Sequence, residues 1–212
     1  MAILKNGIAG NYSGKIGNLV FYEINGKQVV RTLGKTAKPA TEAQLNCRQQ
    51  IAVINGFLKR ITEFVNIGFK IKAQGTNKGA YNMAVSYNKK QALKGLYPNI
   101  EMDYPSVLLT QGSLTGVISP AVEQLPEGLK FTWICPTEFA WPFENDQVMM
   151  LAYFPNLKEA VFNLYGAKRS ACEDVLQLRP GLLTEYMEVY ISFIAEDRNN
   201  IADSTYLGSF NQ

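Results

Sequence analysis

Residues 18–32 read NLVFYEINGKQVVRT, and this stretch decides the fold of the N-terminal part of the chain. Its central Asn-Gly is the dipeptide most typical of a type I′ turn, because both central residues of that turn need positive φ. The flanking runs LVFYEI and KQVVRT are rich in β-branched and aromatic residues. The sequence therefore predicts a β-hairpin in which Tyr22 lies opposite Val29 and Phe21 lies opposite Val30.

The predicted hairpin is apolar on both faces. Alternation along the two strands places on one face Val20, Tyr22 and Val29, and on the other Leu19, Phe21 and Val30. An antiparallel ribbon with one face in water is normally polar on that face, and an isolated hairpin is only marginally stable. We therefore expect other polypeptide to cover this ribbon, either helices of the same chain or a neighbouring subunit.

The glycine-rich run before the hairpin, GIAGNYSGKIGN (7–18), does not fit a phosphate-binding loop. The pattern G-x-x-x-x-G-K-[ST] needs glycine and then serine or threonine at positions where this chain has Ala9 and Ile16. The segment GKIG (14–17) matches the short backbone clamp of one class of RNA-binding module. A four-residue match is weak, and flexible turns or close backbone contact with a partner are the favoured use of these glycines.

Two helices are predicted next. Thr41 and Gln44 form a T-x-x-Q capping box, and apolar residues then recur at spacings of three and four as far as Val65. A second, shorter helix is predicted over residues 78–94. Cations are favoured near the C-terminus of a helix, which accounts for Lys89, Lys90 and Lys94; contact with nucleic acid is the alternative.

From about residue 105 the chain changes to short β-rich runs separated by turn residues. Seven strands are predicted, with the sequences SVLLT (106–110), LKFTWIC (129–135), QVMMLAYF (147–154), EAVFNLY (159–165), DVLQL (174–178), YMEVYISFIA (186–195) and STYLGSF (204–210). This number and spacing indicate an antiparallel sandwich of the immunoglobulin or fibronectin type III kind. Trp133 is expected in its core, and Tyr186 or Tyr190 is expected to make a corner hydrogen bond.

The net charge of +3 is unevenly distributed. Residues 1–95 carry 15 lysines and arginines against three acidic residues, a net +12, whereas residues 96–212 carry six against 15, a net −9. The basic half is able to bind a polyanion such as nucleic acid, or the acidic half of another copy. The third interpretation is that the charged residues of both halves form ordinary solvated surface.

The composition argues against most enzyme classes. The chain has no histidine, which removes the commonest general base and metal ligand, and its three cysteines, Cys47, Cys135 and Cys172, are far apart. We expect no metal and no cofactor. Acidic pairs such as Glu144 with Asp146 are expected to be solvated in loops.

Without a secretory signal or a long apolar run, a cytoplasmic protein that does not contact membranes is expected.

Several segments resemble an uncharacterised domain family of Bacteroidota proteins. They include MAILKNGIAGNYSGKIGNLVFY, GKQVVR, PATEAQL, AVSYN, YPNIEMDY and YISFIAEDRNNIADSTYLGS, which together run through nearly the whole chain. The resemblance implies a glycine-rich basic start, a hairpin, helices and then a β-sandwich, with no assigned activity. Relatives tend to carry tryptophan and extra basic residues in the hairpin, where this chain has Phe21, Glu23 and Ile24.

The fold class expected is therefore α+β, an N-terminal β-hairpin with two helices followed by an antiparallel immunoglobulin- or fibronectin type III-like β-sandwich. Charge places the division between a basic region, 1–98, and an acidic sandwich domain, 99–212. The function expected is a non-enzymatic structural protein that binds itself or another protein through the hairpin and the opposed charges. The interaction residues expected are Leu19, Phe21, Tyr22, Val29, Val30, Lys27, Arg31, Lys35 and Lys38.

Nucleic-acid binding through the basic half is the alternative function. The residues expected to contact phosphates are Lys27, Arg31, Lys35, Lys38, Arg48, Lys59 and Arg60. The acidic second half argues against it, because that half would repel the same ligand. An enzyme that uses carboxylate, lysine or tyrosine chemistry is the third possibility considered.

Overall fold

The computed structural model describes the chain over residues 2–5, 11–24, 26–34, 38–135 and 145–212. Two compact units are present, residues 1–42 and 43–212, which we call the N-terminal unit and the C-terminal unit. The fold mixes α-helices with β-sheets, and every pair of hydrogen-bonded strands named below is antiparallel.

The N-terminal unit contains a four-stranded sheet. Its strands, in both chain order and spatial order, are β1 (Ala2–Lys5), β2 (Asn11–Ile16), β3 (Leu19–Ile24) and β4 (Lys27–Thr32). The hairpin pairing is confirmed: Tyr22 pairs with Val29 and Phe21 with Val30. Gly26 has φ +74°, as the turn requires. Asn25 lies outside the described residues. The predicted two-stranded ribbon is thus the second half of a larger sheet.

The fold gives no support to the weak match of GKIG to an RNA-binding clamp. Gly14, Lys15 and Ile16 lie in β2, where they pair with Phe21, Val20 and Leu19 of β3. Because the sheet ladder takes up the backbone hydrogen bonds of these residues, no open loop is left to hold a nucleotide backbone. Gly17, with φ +56°, lies in the turn that joins the two strands.

Helices form the first part of the C-terminal unit. They are α1 (Glu42–Leu58), α2 (Thr62–Gly68), α3 (Lys70–Ala73) and α4 (Ala80–Gln91), and a small two-stranded sheet follows, β5 (Leu93–Lys94) with β6 (Glu101–Met102). The first helix begins directly after Thr41, as predicted. The long helix predicted to reach Val65 is divided into α1 and α2 by a 3₁₀ turn at Lys59–Ile61.

Two further sheets complete the C-terminal unit. Their strands are β7 (Ala121–Leu125), β8 (Gly128–Thr132), β9 (Gln147–Phe154), β10 (Glu159–Asn163), β11 (Glu173–Gln177), β12 (Met187–Ile194) and β13 (Thr205–Phe210). One sheet has the order β10-β9-β12-β13 and the other the order β11-β8-β7. Six of these seven strands were predicted, and β7 was missed because its central Glu123 and Gln124 are exposed and polar.

The predicted strand SVLLT is not a strand. Its apolar residues Val107 and Leu109 are buried, but its backbone is held by side chains and not by a ladder. The amide of Asn88, on α4, donates to the Leu108 carbonyl oxygen over 2.8 Å and accepts from the Leu108 N–H over 2.9 Å. The hydroxyl of Ser204 accepts from the Leu109 N–H over 2.8 Å. An apolar run therefore reaches the core here without β pairing.

The four-stranded sheet of the C-terminal unit is covered on both sides. Side chains of β9 and β12 alternate between two hydrophobic clusters. One cluster joins Met149, Leu151 and Tyr190 to the helices, and the other joins Val148, Met150 and Ile191 to the three-stranded sheet. The helices between residues 42 and 91 thus share a core with strands of the acidic region. The compact units divide at 42/43, far from the charge boundary near residue 98, because side-chain packing and not charge sets the division.

Trp133 and Tyr190 are both buried, as their predicted roles require. The Trp133 Nε1–H donates to the Arg169 carbonyl oxygen over 2.7 Å, and its ring meets Phe193 edge-on at 5.3 Å. The Tyr190 hydroxyl donates to the carbonyl oxygen of Tyr104 over 2.8 Å. That acceptor lies 86 residues upstream, so the bond ties β12 to a distant segment and is not a local corner.

Asp146 was expected to be solvated, and this expectation is wrong. Its exposed fraction is 2%, and its carboxylate accepts from Nε of Arg169, which is 1% exposed, over 3.2 Å. The same guanidinium donates to the carbonyl oxygens of Thr115 and Gly116 and lies 3.8 Å from the centre of the Phe193 ring. Burial raises the pKa of Asp146, and the charge of Arg169 opposes that rise. Glu144 lies outside the described residues.

Replacing Arg169 by methionine should destabilise the protein strongly. The change leaves the Asp146 carboxylate buried without a cation, and we expect a loss of about 3–5 kcal/mol in the free energy of unfolding. Urea denaturation followed by circular dichroism measures it. Arg179→Met is the control, because Arg179 pairs with Glu159 on the surface and should matter by less than about 1 kcal/mol. Equal losses in the two variants would contradict the structural role of the buried pair.

Asn88→Ala should also be costly, because it leaves the N–H and carbonyl of Leu108 without their partners. We expect a loss of about 2–4 kcal/mol from two buried polar groups that lose their hydrogen bonds. Asn82 is exposed on the same helix, so Asn82→Ala serves as the matched control and should change stability by less than about 0.5 kcal/mol. Thermal unfolding of both variants provides the measurement, and an unchanged Asn88→Ala protein would refute this role.

Candidate functional site

The register of the N-terminal sheet sorts its side chains onto two different faces. Residues directly opposite in neighbouring strands lie on the same face, and residues alternate along each strand. The apolar face, as we call it, carries Tyr12, Ile16, Leu19, Phe21 and Val30, together with the polar residues Glu23, Gln28 and Thr32. The basic face carries Lys15, Val20, Tyr22, Ile24, Lys27, Val29 and Arg31. The hairpin residues predicted to interact therefore belong to two surfaces with different chemistry.

The apolar face has no lysine or arginine on β2, β3 or β4, and much of it is in contact with solvent. The exposed fractions are 48% for Ile16, 40% for Leu19 and 53% for Val30. Phe21 is half-buried, and its ring lies 5.4 Å from that of Tyr12. Among residues 12–24 and 26–34, no side chain is classed as buried. Within residues 12–24 and 26–34, this sheet thus has no buried core of its own.

On β2, β3 and β4, the basic face combines three cations with apolar neighbours. Lys15, Lys27 and Arg31 are exposed, whereas Tyr22 and Val29 are half-buried. Lys15 lies opposite Val20, and Val20 lies opposite Arg31, so two of the cations flank one position of β3. Lys15 was absent from the predicted site because it precedes the hairpin in the sequence, and only the pairing of β2 with β3 places it there.

The other basic residues proposed for phosphate contact lie elsewhere in the chain. Lys35 is outside the described residues, and Lys38 is exposed in the segment before α1. Arg48 is exposed on α1, and Lys59 and Arg60 are exposed on the 3₁₀ turn that follows it. These last three residues belong to the C-terminal unit. The seven residues predicted to contact phosphates are therefore divided between the two compact units.

A second candidate site, an open cleft of about 860 Å³, lies in the C-terminal unit. Glu188 of β12 lies at its floor, with an exposed fraction of 2%. Its carboxylate accepts hydrogen bonds from two phenols, from Tyr186 and, over 2.6 Å, from Tyr206. Tyr153 of β9 pairs directly with Glu188 across the sheet. We call this group, with Tyr104 and Phe57, the Glu188 cluster.

Aromatic rings form one wall of this cleft. The ring of Tyr153 lies 4.5 Å from that of Phe57 on α1 and 5.9 Å from that of Tyr104, centre to centre. Three cations, Arg60, Lys94 and Lys158, are exposed along the cleft, together with the acidic Glu101. No local sequence motif predicts this grouping, since its members come from positions spread between residues 57 and 206.

The tyrosines of the cleft stay protonated at neutral pH. Burial, and then the charge of neighbouring groups, raise the pKa of Tyr104 above its usual value. Burial, followed by the hydrogen bond to Glu188, raises the pKa of Tyr186 and of Tyr206. A phenol that remains protonated donates its hydrogen, so both hydroxyls point their dipoles toward the carboxylate. The Glu188 cluster therefore offers aromatic faces and one buried acidic group.

Metal binding and membrane insertion find no support in the part of the chain that the structure describes. There, no three acidic, cysteine or histidine side chains lie close enough together to hold a metal ion. The helices of that part are too short or too polar to cross a lipid bilayer.

The sequence from residue 10 to residue 208 matches DUF6266, a family of unknown function. No curated protein and no solved structure matches the chain. The family match supports the resemblance of this chain to an uncharacterised domain family, and it assigns no activity. Because the match extends over most of its length, the chain belongs to the DUF6266 family.

Proposed function

We propose that this protein is a non-enzymatic association module, and that two copies pair through the apolar faces of their N-terminal sheets. The main support for this proposal is that Ile16, Leu19 and Val30 are exposed on one face, which has no lysine or arginine on β2, β3 or β4. Large exposed apolar side chains that cluster on one face are typical of interaction surfaces.

A second sheet is the natural partner for this face. A sheet with one hydrophobic face needs another layer to bury it, and two stacked sheets pack at about 10 Å. A second copy supplies a layer of the same length and width, and a two-fold axis brings the same residues together from both copies. Glu23, the acidic residue on this face of β3, lies next to the end of the strand, at the border of the patch.

The size of the face sets the expected affinity. Four strands at about 4.8 Å spacing, each of about six residues at about 3.3 Å, form a face of about 20 Å by about 19 Å. Stable complexes usually bury about 800 Å² per partner, so this face is small. We therefore expect a reversible dimer with a dissociation constant of about 1 μM or weaker.

The C-terminal unit supports the same class of function. When its seven strands are lettered A, B, C, C′, E, F and G in chain order, the sheets read A-B-E and C′-C-F-G. This order, with a buried tryptophan after the second strand, favours a fibronectin type III-like sandwich. Such sandwiches often serve as adhesion or assembly modules, although the fold alone does not fix a function. Here helices also cover the outside of the four-stranded sheet.

Val30→Lys tests the dimer, and Val29→Lys is its matched control. The two valines are neighbours on β4 but lie on opposite faces. We expect sedimentation equilibrium to show concentration-dependent dimerisation between about 1 μM and about 1 mM. Val30→Lys should weaken it at least about tenfold, because a lysine must lose its hydration in the interface. A wild-type monomer throughout, or equal effects of the two variants, would refute the proposal.

Salt separates the apolar contact from association through opposite charges. A dimer held by apolar faces should persist at about 0.5 M NaCl, where charge attraction is screened beyond a few ångströms. Association between the basic and acidic regions of two copies should weaken in the same buffer. Light scattering at low and high salt distinguishes these two modes of contact.

The second candidate function is binding of nucleic acid by the basic face. The observation that favours it is the alignment of Lys15, Lys27 and Arg31 around Tyr22, since cations with an aromatic ring suit a single-stranded backbone. Fluorescence anisotropy in about 50 mM salt should then detect binding that weakens steeply as salt rises. Lys27→Gln with Arg31→Gln should reduce the salt slope by about two, whereas Lys168→Gln in the C-terminal unit should not. No binding at low salt would exclude this function.

A further inference from the structure

The Glu188 cluster lacks the partner that the other fully buried carboxylate has. Asp146 and Glu188 are equally exposed, at 2% each. Asp146 meets the guanidinium of Arg169, whereas Glu188 meets only the phenols of Tyr186 and Tyr206. None of the ion pairs found between described residues includes Glu188. Buried carboxylates are normally paired with a cation. The carboxylate of Glu188 departs from this rule, and it does so beside an open cleft.

The walls of the cleft suit a positive charge. The aromatic rings of Phe57, Tyr104 and Tyr153 lie close together beside Glu188, and an aromatic face attracts a cation through its quadrupole. The two phenols donate to the carboxylate and leave the remaining lone pairs of its oxygens available as acceptors. A ligand ammonium, with three N–H donors, matches this combination of one acidic acceptor and aromatic surface.

The edge of the cleft has the opposite character. Arg60, Lys94 and Lys158 are exposed there, and they would repel a ligand that carried only positive charge. A molecule with an ammonium at one end and a carboxylate at the other end satisfies both parts. The acidic Glu101 and Asp103 also line the cleft, so the rim does not attract anions alone.

From this arrangement we propose that the cleft is a binding site for small zwitterionic amines. The ammonium group lies on Glu188 and the aromatic wall, and the acidic group of the ligand lies toward Arg60 and Lys94. This site is independent of the association proposed for the N-terminal sheet, because all of its residues belong to the C-terminal unit.

Three short aliphatic probes that differ in charge test the charge requirement on the unmodified chain. They are 6-aminohexanoate, which is zwitterionic, n-butylammonium, which is cationic, and hexanoate, which is anionic. Binding is followed at pH 7 by amide chemical-shift changes in NMR, up to about 50 mM probe. We expect 6-aminohexanoate to bind best, n-butylammonium more weakly and hexanoate not at all, with shifts near Glu188 and Tyr206. Preference for hexanoate, shifts elsewhere in the chain, or no binding of any probe would overturn the proposal.

Variants then assign the two ends of the ligand. Glu188→Gln keeps the shape and an acceptor for the phenols but removes the charge, and it should weaken 6-aminohexanoate at least about tenfold. Glu123→Gln, an exposed position on β7, is the matched control and should have no effect. Arg60→Gln should weaken 6-aminohexanoate by about threefold or more while leaving n-butylammonium unchanged or tighter. Equal affinity of wild type and Glu188→Gln would contradict the assignment.

Near-UV circular dichroism establishes that each variant is folded. If Glu188→Gln does not fold, the ranking of the three probes on the unmodified chain still decides the question. Tyr206→Phe provides a milder test, because it removes one donor from the carboxylate and retains the aromatic ring. It should alter the affinity for 6-aminohexanoate while leaving the oligomeric state of the protein unchanged. A failure of this site and a failure of the N-terminal dimer are thus observed separately.

Discussion

Strands β9 and β12 lie side by side at the centre of the C-terminal unit, and their burial on both faces is the constraint that organises the rest of it. Every residue of β12 is buried, so the helices on one side and the three-stranded sheet on the other must both be present. The same coverage explains why two polar groups on or beside these strands need partners inside the protein. Asp146 forms an ion pair with Arg169, and Glu188 accepts hydrogen bonds from two phenols.

Local structure was predicted well from the sequence where a short motif specifies it. The Asn-Gly turn signal, the T-x-x-Q pattern at Thr41 and six of the C-terminal strands are local signals, and the structure has the β3–β4 pairing, a helix that begins at Glu42 and those strands. The segment SVLLT failed because burial alone does not distinguish a strand from a loop held by Asn88. The charge boundary near residue 98 did not match the compact units, because charge describes surfaces whereas the shared core joins α1 and α2 to β9 and β12.

The candidate sites were less predictable than the fold. The pairing of Phe21 with Val30 followed from the turn, so both faces of the hairpin were foreseen. The different chemistry of the two faces was not foreseen, because Lys15 and Ile16 reach these faces only through the pairing of β2 with β3. The Glu188 cluster could not be identified, since the tyrosines around Glu188 come from β9, β13, the residue before β12 and the segment near residue 104. Such a cluster depends on tertiary structure and leaves no periodic signal.

The place of β4 at one edge of the N-terminal sheet limits how the protein can assemble. An edge strand offers unpaired N–H and C=O groups to any other strand, which is the usual route to open-ended fibres. Lys27 and Arg31 stand near the two ends of β4, and a second β4 brought alongside would bring like charges together. Charged side chains of this kind act as gatekeepers against strand addition. The charges on β4 thereby disfavour continuous polymers built by strand addition at this edge.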